Sequence, residues 1–181
     1  MKKFELTNEF ITNMFGTKLF RIRALVEFGD VEAGELGGYV EKESNLGHDD
    51  NAWVYDNAWV YGNARVYGDA QVSGDARVYG NARVYGNAWV YGNVWVYGNA
   101  WVYGNALVCS DEDYAYAHGF GSVNRTTTFF RLKDGGVGVR CGCFYGTLAQ
   151  FRDKIRETHG ETKKAQEYLM LADLMKLRFE K

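Results

Sequence analysis

The sequence predicts a mainly β chain whose centre is a parallel solenoid, and three observations carry that expectation. Valine recurs every six residues from Val54 to Val108 without a slip. Two positions before each valine stands a small residue, alanine at every site from Ala52 to Ala106 except Val94. After most valines come Tyr, then Gly, then Asn or Asp. Residues two apart share one face of a strand, so Ala and Val point one way, and Tyr and the residue between Ala and Val point the other. Gly followed by Asn or Asp tolerates positive φ and lets the chain turn a corner every six residues.

Two architectures fit this alternation. In a meander each Gly-Asn is a two-residue hairpin turn, and the result is one long sheet whose Ala/Val face needs a cover. The rest of the chain is too short for such a cover. In a solenoid three six-residue sides close a triangular coil of 18 residues, and every Ala and Val is buried on its own axis. Six-residue periods are a β-helix signature, and the solenoid is the favoured reading. Val40 and Leu46 are also six apart, so the first coil begins near residue 40, with a two-residue irregularity at His48-Asp49-Asp50. The chain divides into an N-terminal β cap (1–39), with short strands at Phe4–Thr7 and Thr17–Ala24 and a turn into the first coil at Gly34, Gly37 and Gly38, a repeat region (40–110) and a C-terminal α+β segment (111–181). Thr126–Leu132 and Val137–Phe144 read as a hairpin. A helix capped by Thr147 runs to about Glu157, and a second runs from about Thr162 to Phe179.

The Val-Tyr-Gly-Asn-Ala-Arg unit resembles the hexapeptide repeat of left-handed β-helix proteins. The leader, Leu19–Leu25 with Phe28-Gly29-Asp30 and Leu36-Gly37-Gly38-Tyr39-Val40, is similar to the YdcK-type hexapeptide proteins, which are common in bacteria and prophages. The resemblance implies a left-handed solenoid, a homotrimer, and a transferase label that derives from the fold and says little about chemistry. Enzymes of this fold are mainly acyltransferases that use acyl-CoA and a histidine base near an inserted loop. Residues 52–108 contain neither a histidine nor an inserted loop. His48 is the one histidine near the coils, with Asp49 and Asp50 beside it, and is the catalytic candidate if the chain is an enzyme.

Stacking residue n on n+18 sorts the outward side chains into rows. Tyr61, Tyr79 and Tyr97 form one row and Tyr67, Tyr85 and Tyr103 another. Trp59-Arg77-Trp95 and Arg65-Arg83-Trp101 form two more. The last can present guanidiniums to phosphate and an indole to a base or sugar, so Arg65, Arg83 and Trp101, with Arg77 and Trp95, are the candidate ligand contacts. The tryptophans call for burial, in an oligomer or under the C-terminal segment.

A net charge of -2 gives no global basis for binding duplex nucleic acid. No apolar run is long enough for a membrane helix, and three cysteines without an export signal suggest reduced thiols in a cytoplasm. Cys141 and Cys143 alternate on the expected second strand and so face the same side. With His118 and His159 they reach the number of ligands for a metal but not the spacing, and no metal is expected. No cofactor is expected either. The reading is a non-catalytic oligomeric solenoid that binds a partner, with a host protein or small host metabolite as the target if the chain is phage-encoded. The alternative is an acyltransferase working near His48.

Overall fold

The computed structural model describes residues 2–180. Three strands open the chain: β1 (Phe4–Thr12), β2 (Lys18–Ala24) and β3 (Leu36–Val40). They pair antiparallel in sequence, and β3 then pairs in parallel with the first full coil, Tyr39 on Trp59 and Val40 on Val60. The antiparallel cap therefore continues one sheet of the solenoid and covers its open edge, which proteins rarely leave bare. The strands are longer than the sequence suggests, because β1 extends to Thr12. Gly37 and Gly38, expected at a turn, lie inside β3. A Cβ on Gly37 would stand 2.5 Å from the Val54 carbonyl oxygen, and one on Gly38 would stand 2.6 Å from that of Ala58. The strand crosses the first corner too closely for any side chain.

The solenoid follows as ten short rungs. These are β4 (Trp53–Val54), β5 (Trp59–Val60), β6 (Arg65–Val66), β7 (Gln71–Val72), β8 (Arg77–Val78), β9 (Arg83–Tyr85), β10 (Trp89–Val90), β11 (Trp95–Val96), β12 (Trp101–Tyr103) and β13 (Leu107–Val108). They fall into three parallel sheets, ordered β3-β5-β8-β11, β4-β7-β10-β13 and β6-β9-β12. Each rung pairs with the residue 18 positions on, as in Arg65 with Arg83 and Trp89 with Leu107. Backbone hydrogen bonds join the coils along sides and corners alike: Trp59 N–H to Ala76, Tyr61 N–H to Val78, Asn63 N–H to Gly80. The inner alanines and valines are solvent-inaccessible, so the axis is the core. Val40 and Leu46 pair 20 residues ahead, with Val60 and Val66. The first coil is thus two residues longer than the rest, as the irregularity at His48–Asp50 implies.

The C-terminal segment has two more strands than the sequence shows: β14 (Tyr114–Phe120), β15 (Arg125–Arg131), β16 (Val137–Cys141) and β17 (Phe144–Thr147), one antiparallel sheet in that order. The stretch expected as one strand, 137–144, turns back at Gly142-Cys143. Gly142 has φ +60°, and Cys141 pairs with Phe144 across the turn. Cys141 and Cys143 therefore do not alternate along one strand. Helices α1 (Leu148–His159) and α2 (Lys163–Phe179) cover this sheet. Thr147 and Thr162 cap them through bonds from Gln150 N–H and Ala165 N–H. Phe129, Phe151, Ile155, Tyr168 and Ala172 form a second core. The sheet closes the far end of the solenoid, where Phe130 and Tyr114 join the solenoid core. Thr128 Oγ1 accepts the Trp101 N–H at 2.9 Å, and the Lys133 N–H donates to Asn105 O at 3.0 Å.

Candidate functional site

The outward rows stack as the 18-residue period requires. Tyr61, Tyr79 and Tyr97 lie with ring centres 5.1 and 5.4 Å apart, and Tyr67, Tyr85 and Tyr103 at 4.7 and 4.1 Å. The tryptophans diverge in their surroundings. Trp53 is fully buried, yet neither an oligomer nor the C-terminal segment covers it. The N-terminal cap does, with Phe4 and Phe28 edge-on at 6.2 and 5.3 Å. Trp89, Tyr91, Trp95 and Tyr97 remain between 40 and 45% exposed, on two adjacent faces of one coil.

The five residues singled out in the sequence fall into two arrangements. Arg77 is clamped by rings, its guanidinium carbon 4.2 Å from the Trp59 centroid and 5.0 Å from that of Trp95. Arg83 sits 4.7 Å from Trp101, and on the side of the C-terminal sheet Arg140 sits 5.3 Å from the same indole. The expected indole platform is thus already stacked by two guanidiniums. What this side offers a ligand is donors, not a ring. Arg65 and Arg83 are both exposed and face each other across adjacent coils.

These arginines line a groove along one corner of the solenoid. Lys42, Ser44, Asn45, Asn63, Ala64, Arg65, Asn81 and Arg83 enclose about 470 Å³. A continuing depression of about 400 Å³ runs past Asn99 and Trp101 to His118, Arg125 and Thr126. One wall is an asparagine ladder, in which the Asn63 side-chain amide donates to Asn81 at 3.3 Å and that of Asn81 to Asn99 at 3.2 Å. No carboxylate lines either stretch. The cause lies in the repeat. Every aspartate between residues 52 and 108, namely Asp56, Asp69 and Asp75, stands at one of the other two corners. Among the described residues Arg65, Arg83, Arg125 and Arg140 form no ion pair. Nearby, burial raises the Tyr67 phenol above its usual value against the pull of Arg83, Arg140 and Arg65, which places three guanidiniums within electrostatic reach of one side chain.

Lys42, Asn63, Asn81, Asn99, Arg125 and Arg140 were not singled out in the sequence. The asparagines carry a readable signal, since they recur every 18 residues ahead of the arginine row. Arg125 and Arg140 arrive from the C-terminal sheet and carry none.

His48 lies at the N-terminal end of the solenoid, near the start of the groove but outside its lining. Its Nδ1 accepts the Lys3 N–H at 3.1 Å, its Nε2 lies 2.9 Å from a Glu43 carboxylate oxygen, and its ring stacks on Phe4 at 4.5 Å. With Nδ1 accepting, Nε2 carries the proton and donates to Glu43. Nδ1 is engaged by the residue before β1 and Nε2 by Glu43, so proton transfer to a substrate would require one of these bonds to open. His118 bonds Thr126 at 3.0 Å on the groove side. His159 lines a separate cavity together with Cys141 and Cys143. The three thiols are free.

Four overlapping stretches, residues 58–74, 70–83, 76–92 and 82–98, match the family described as the YdcK beta solenoid repeat. No curated protein matches the chain. The matched stretch holds the Asn63-Asn81 wall and both arginines of the groove, Arg65 and Arg83. With the repeat matched in sequence and its coils stacked in space, residues 58–98 are YdcK-type β-solenoid repeats.

Proposed function

We propose that this protein is a non-catalytic β-solenoid that binds an anionic ligand along the groove of Lys42, Arg65 and Arg83. One observation carries the reading. Two exposed guanidiniums face each other on adjacent rungs, beside an uncharged asparagine wall, with no carboxylate lining the groove. Like charges directly opposite across a sheet are destabilising, and an anion bridging them would relieve the repulsion. The two guanidiniums already beside Trp101 favour phosphate, sulfate or carboxylate groups over a stacked base. The reading includes self-association, as a trimer, through Trp89, Tyr91, Trp95 and Tyr97, whose exposure supports a covered surface.

Calorimetric titration with inorganic tripolyphosphate tests the anion site. Binding is expected to weaken with salt and to fall about tenfold or more when Arg65 and Arg83 are both replaced by alanine. Unchanged affinity in that double variant overturns the reading.

A further inference from the structure

The C-terminal sheet and α1 enclose a cavity of about 300 Å³ that differs in kind from the groove. Its floor is apolar, formed by Phe144, Phe151 and Ile155, and its rim carries Arg125, Lys154 and His159. It too is lined by no carboxylate. Arg125 lines both this cavity and the end of the groove. Its guanidinium lies against the turn at Gly142, in the space a Cβ there would fill. The lip between the two depressions is therefore one cationic side chain resting on a backbone that only glycine allows. Lys42, Arg65 and Arg83 follow one another on successive coils, and Arg125 lies one layer past the coil of Trp101. At about 4.8 Å per layer the path spans roughly 19 Å, the length of about six extended residues.

We infer that groove and cavity form one recognition surface for an acidic, extended protein segment whose apolar side chain seats between Phe144, Phe151 and Ile155. This rests on the anion-binding reading and extends it to a class of partner. The row of cations suits carboxylates, and the asparagine wall supplies donors and acceptors to a peptide backbone. An apolar cavity at the end of the row has use for a side chain such as Phe or Leu and none for a phosphodiester. Single-stranded nucleic acid draws much of its affinity from bases stacked on free aromatic faces. Here two guanidiniums already lie within cation–π distance of Trp101.

The test is fluorescence anisotropy on the full chain with three labelled probes: a hexaglutamate peptide, the same peptide ending in Phe, and an oligothymidylate of matching length. The Phe-terminated peptide is expected to bind about tenfold more tightly than hexaglutamate, and both more tightly than the oligonucleotide. Thr158 is an exposed helix residue on the cavity rim, so Thr158→Trp fills the cavity without touching the core. It should erase the advantage of Phe and leave hexaglutamate binding intact. Cys143→Trp, from the hairpin side, should do the same and guards against a folding defect in either variant. Equal binding of the two peptides, or a preference for the oligonucleotide, overturns the inference. Should tripolyphosphate bind at Arg65 and Arg83 while neither peptide binds, the peptide segment is refuted and the anion site stands. Should none of them bind, both fall.

Discussion

Replacing Arg65 by glutamine should make the protein more stable and its ligand affinity weaker. Arg65 and Arg83 are opposite each other on neighbouring rungs, and both are exposed. Strand spacing puts the bases of the two side chains about 5 Å apart, and two like charges at that separation repel by about 0.8 kcal/mol in water. Salt screens it. At 0.01 M ionic strength nearly all of it remains, and at 0.15 M about half does. Glutamine keeps most of the aliphatic stem and an amide donor, so removal of the charge dominates. In a chain of this length about 0.7 kcal/mol corresponds to roughly 2 °C in melting temperature. Thermal unfolding of wild type and Arg65→Gln, followed by circular dichroism at the two salt concentrations, reads the difference. The variant should melt higher at low salt, with the gap about halved at 0.15 M. A variant that melts lower at low salt, or a gap that salt does not shrink, refutes the charge argument. The paired measurement is tripolyphosphate affinity, which should fall in the same variant. A residue retained against its effect on stability is one whose charge is wanted by something outside the chain.

Three further outcomes follow from the same geometry. Lys3 is buried under Phe28 with its ammonium on the carbonyls of Asp50 and Ala52, and burial lowers its pKa from 10.5 to about 8. Below pH 8 both states are protonated and the burial penalty is carried in full. Between pH 8 and 10.5 the unfolded chain alone holds the proton, so stability should rise with pH there, and Lys3→Met should flatten that rise in melting curves. Gly38→Ala forces a Cβ to within 2.6 Å of the Ala58 carbonyl and should cost about 1–3 kcal/mol, read as a lower melting temperature and earlier proteolysis of the N-terminal cap. Sedimentation at low concentration should show a trimer, and Trp95→Lys with Tyr97→Lys should shift it toward monomer; a wild-type monomer refutes the oligomer.

Much of this architecture was legible because a six-residue period leaves little freedom. Alternation decides which side chains turn inward, and the 18-residue coil decides which outward ones stack. The Tyr61-Tyr79-Tyr97 row, the Arg65-Arg83 pair and the two-residue excess near His48 all follow from counting. Counting fails where the two end units meet the coils. Trp53 looks as exposed as Trp89 by period, but Phe4 and Phe28 close over it from residues with no repeat. Trp101 reads as a free indole until Arg140 reaches it from another sheet. Gly37 and Gly38 read as a turn because their crowding comes from carbonyls of the next coil. The Gly142 turn hides within an apparently continuous β run, since glycine is common in the strands around it. In the first three cases the missing information is a contact between a repeat and a non-repeat segment, which period cannot supply.

Side-chain NMR of the arginines tests the groove most directly. During titration with tripolyphosphate the Nε–Hε signals of Arg65 and Arg83 should move together and saturate, while those of Arg152 and Arg156 on α1, ion-paired with Asp173 and Asp153, should stay in place. Uniform, unsaturating shifts across all arginines, or none at Arg65 and Arg83, would contradict a built anion site.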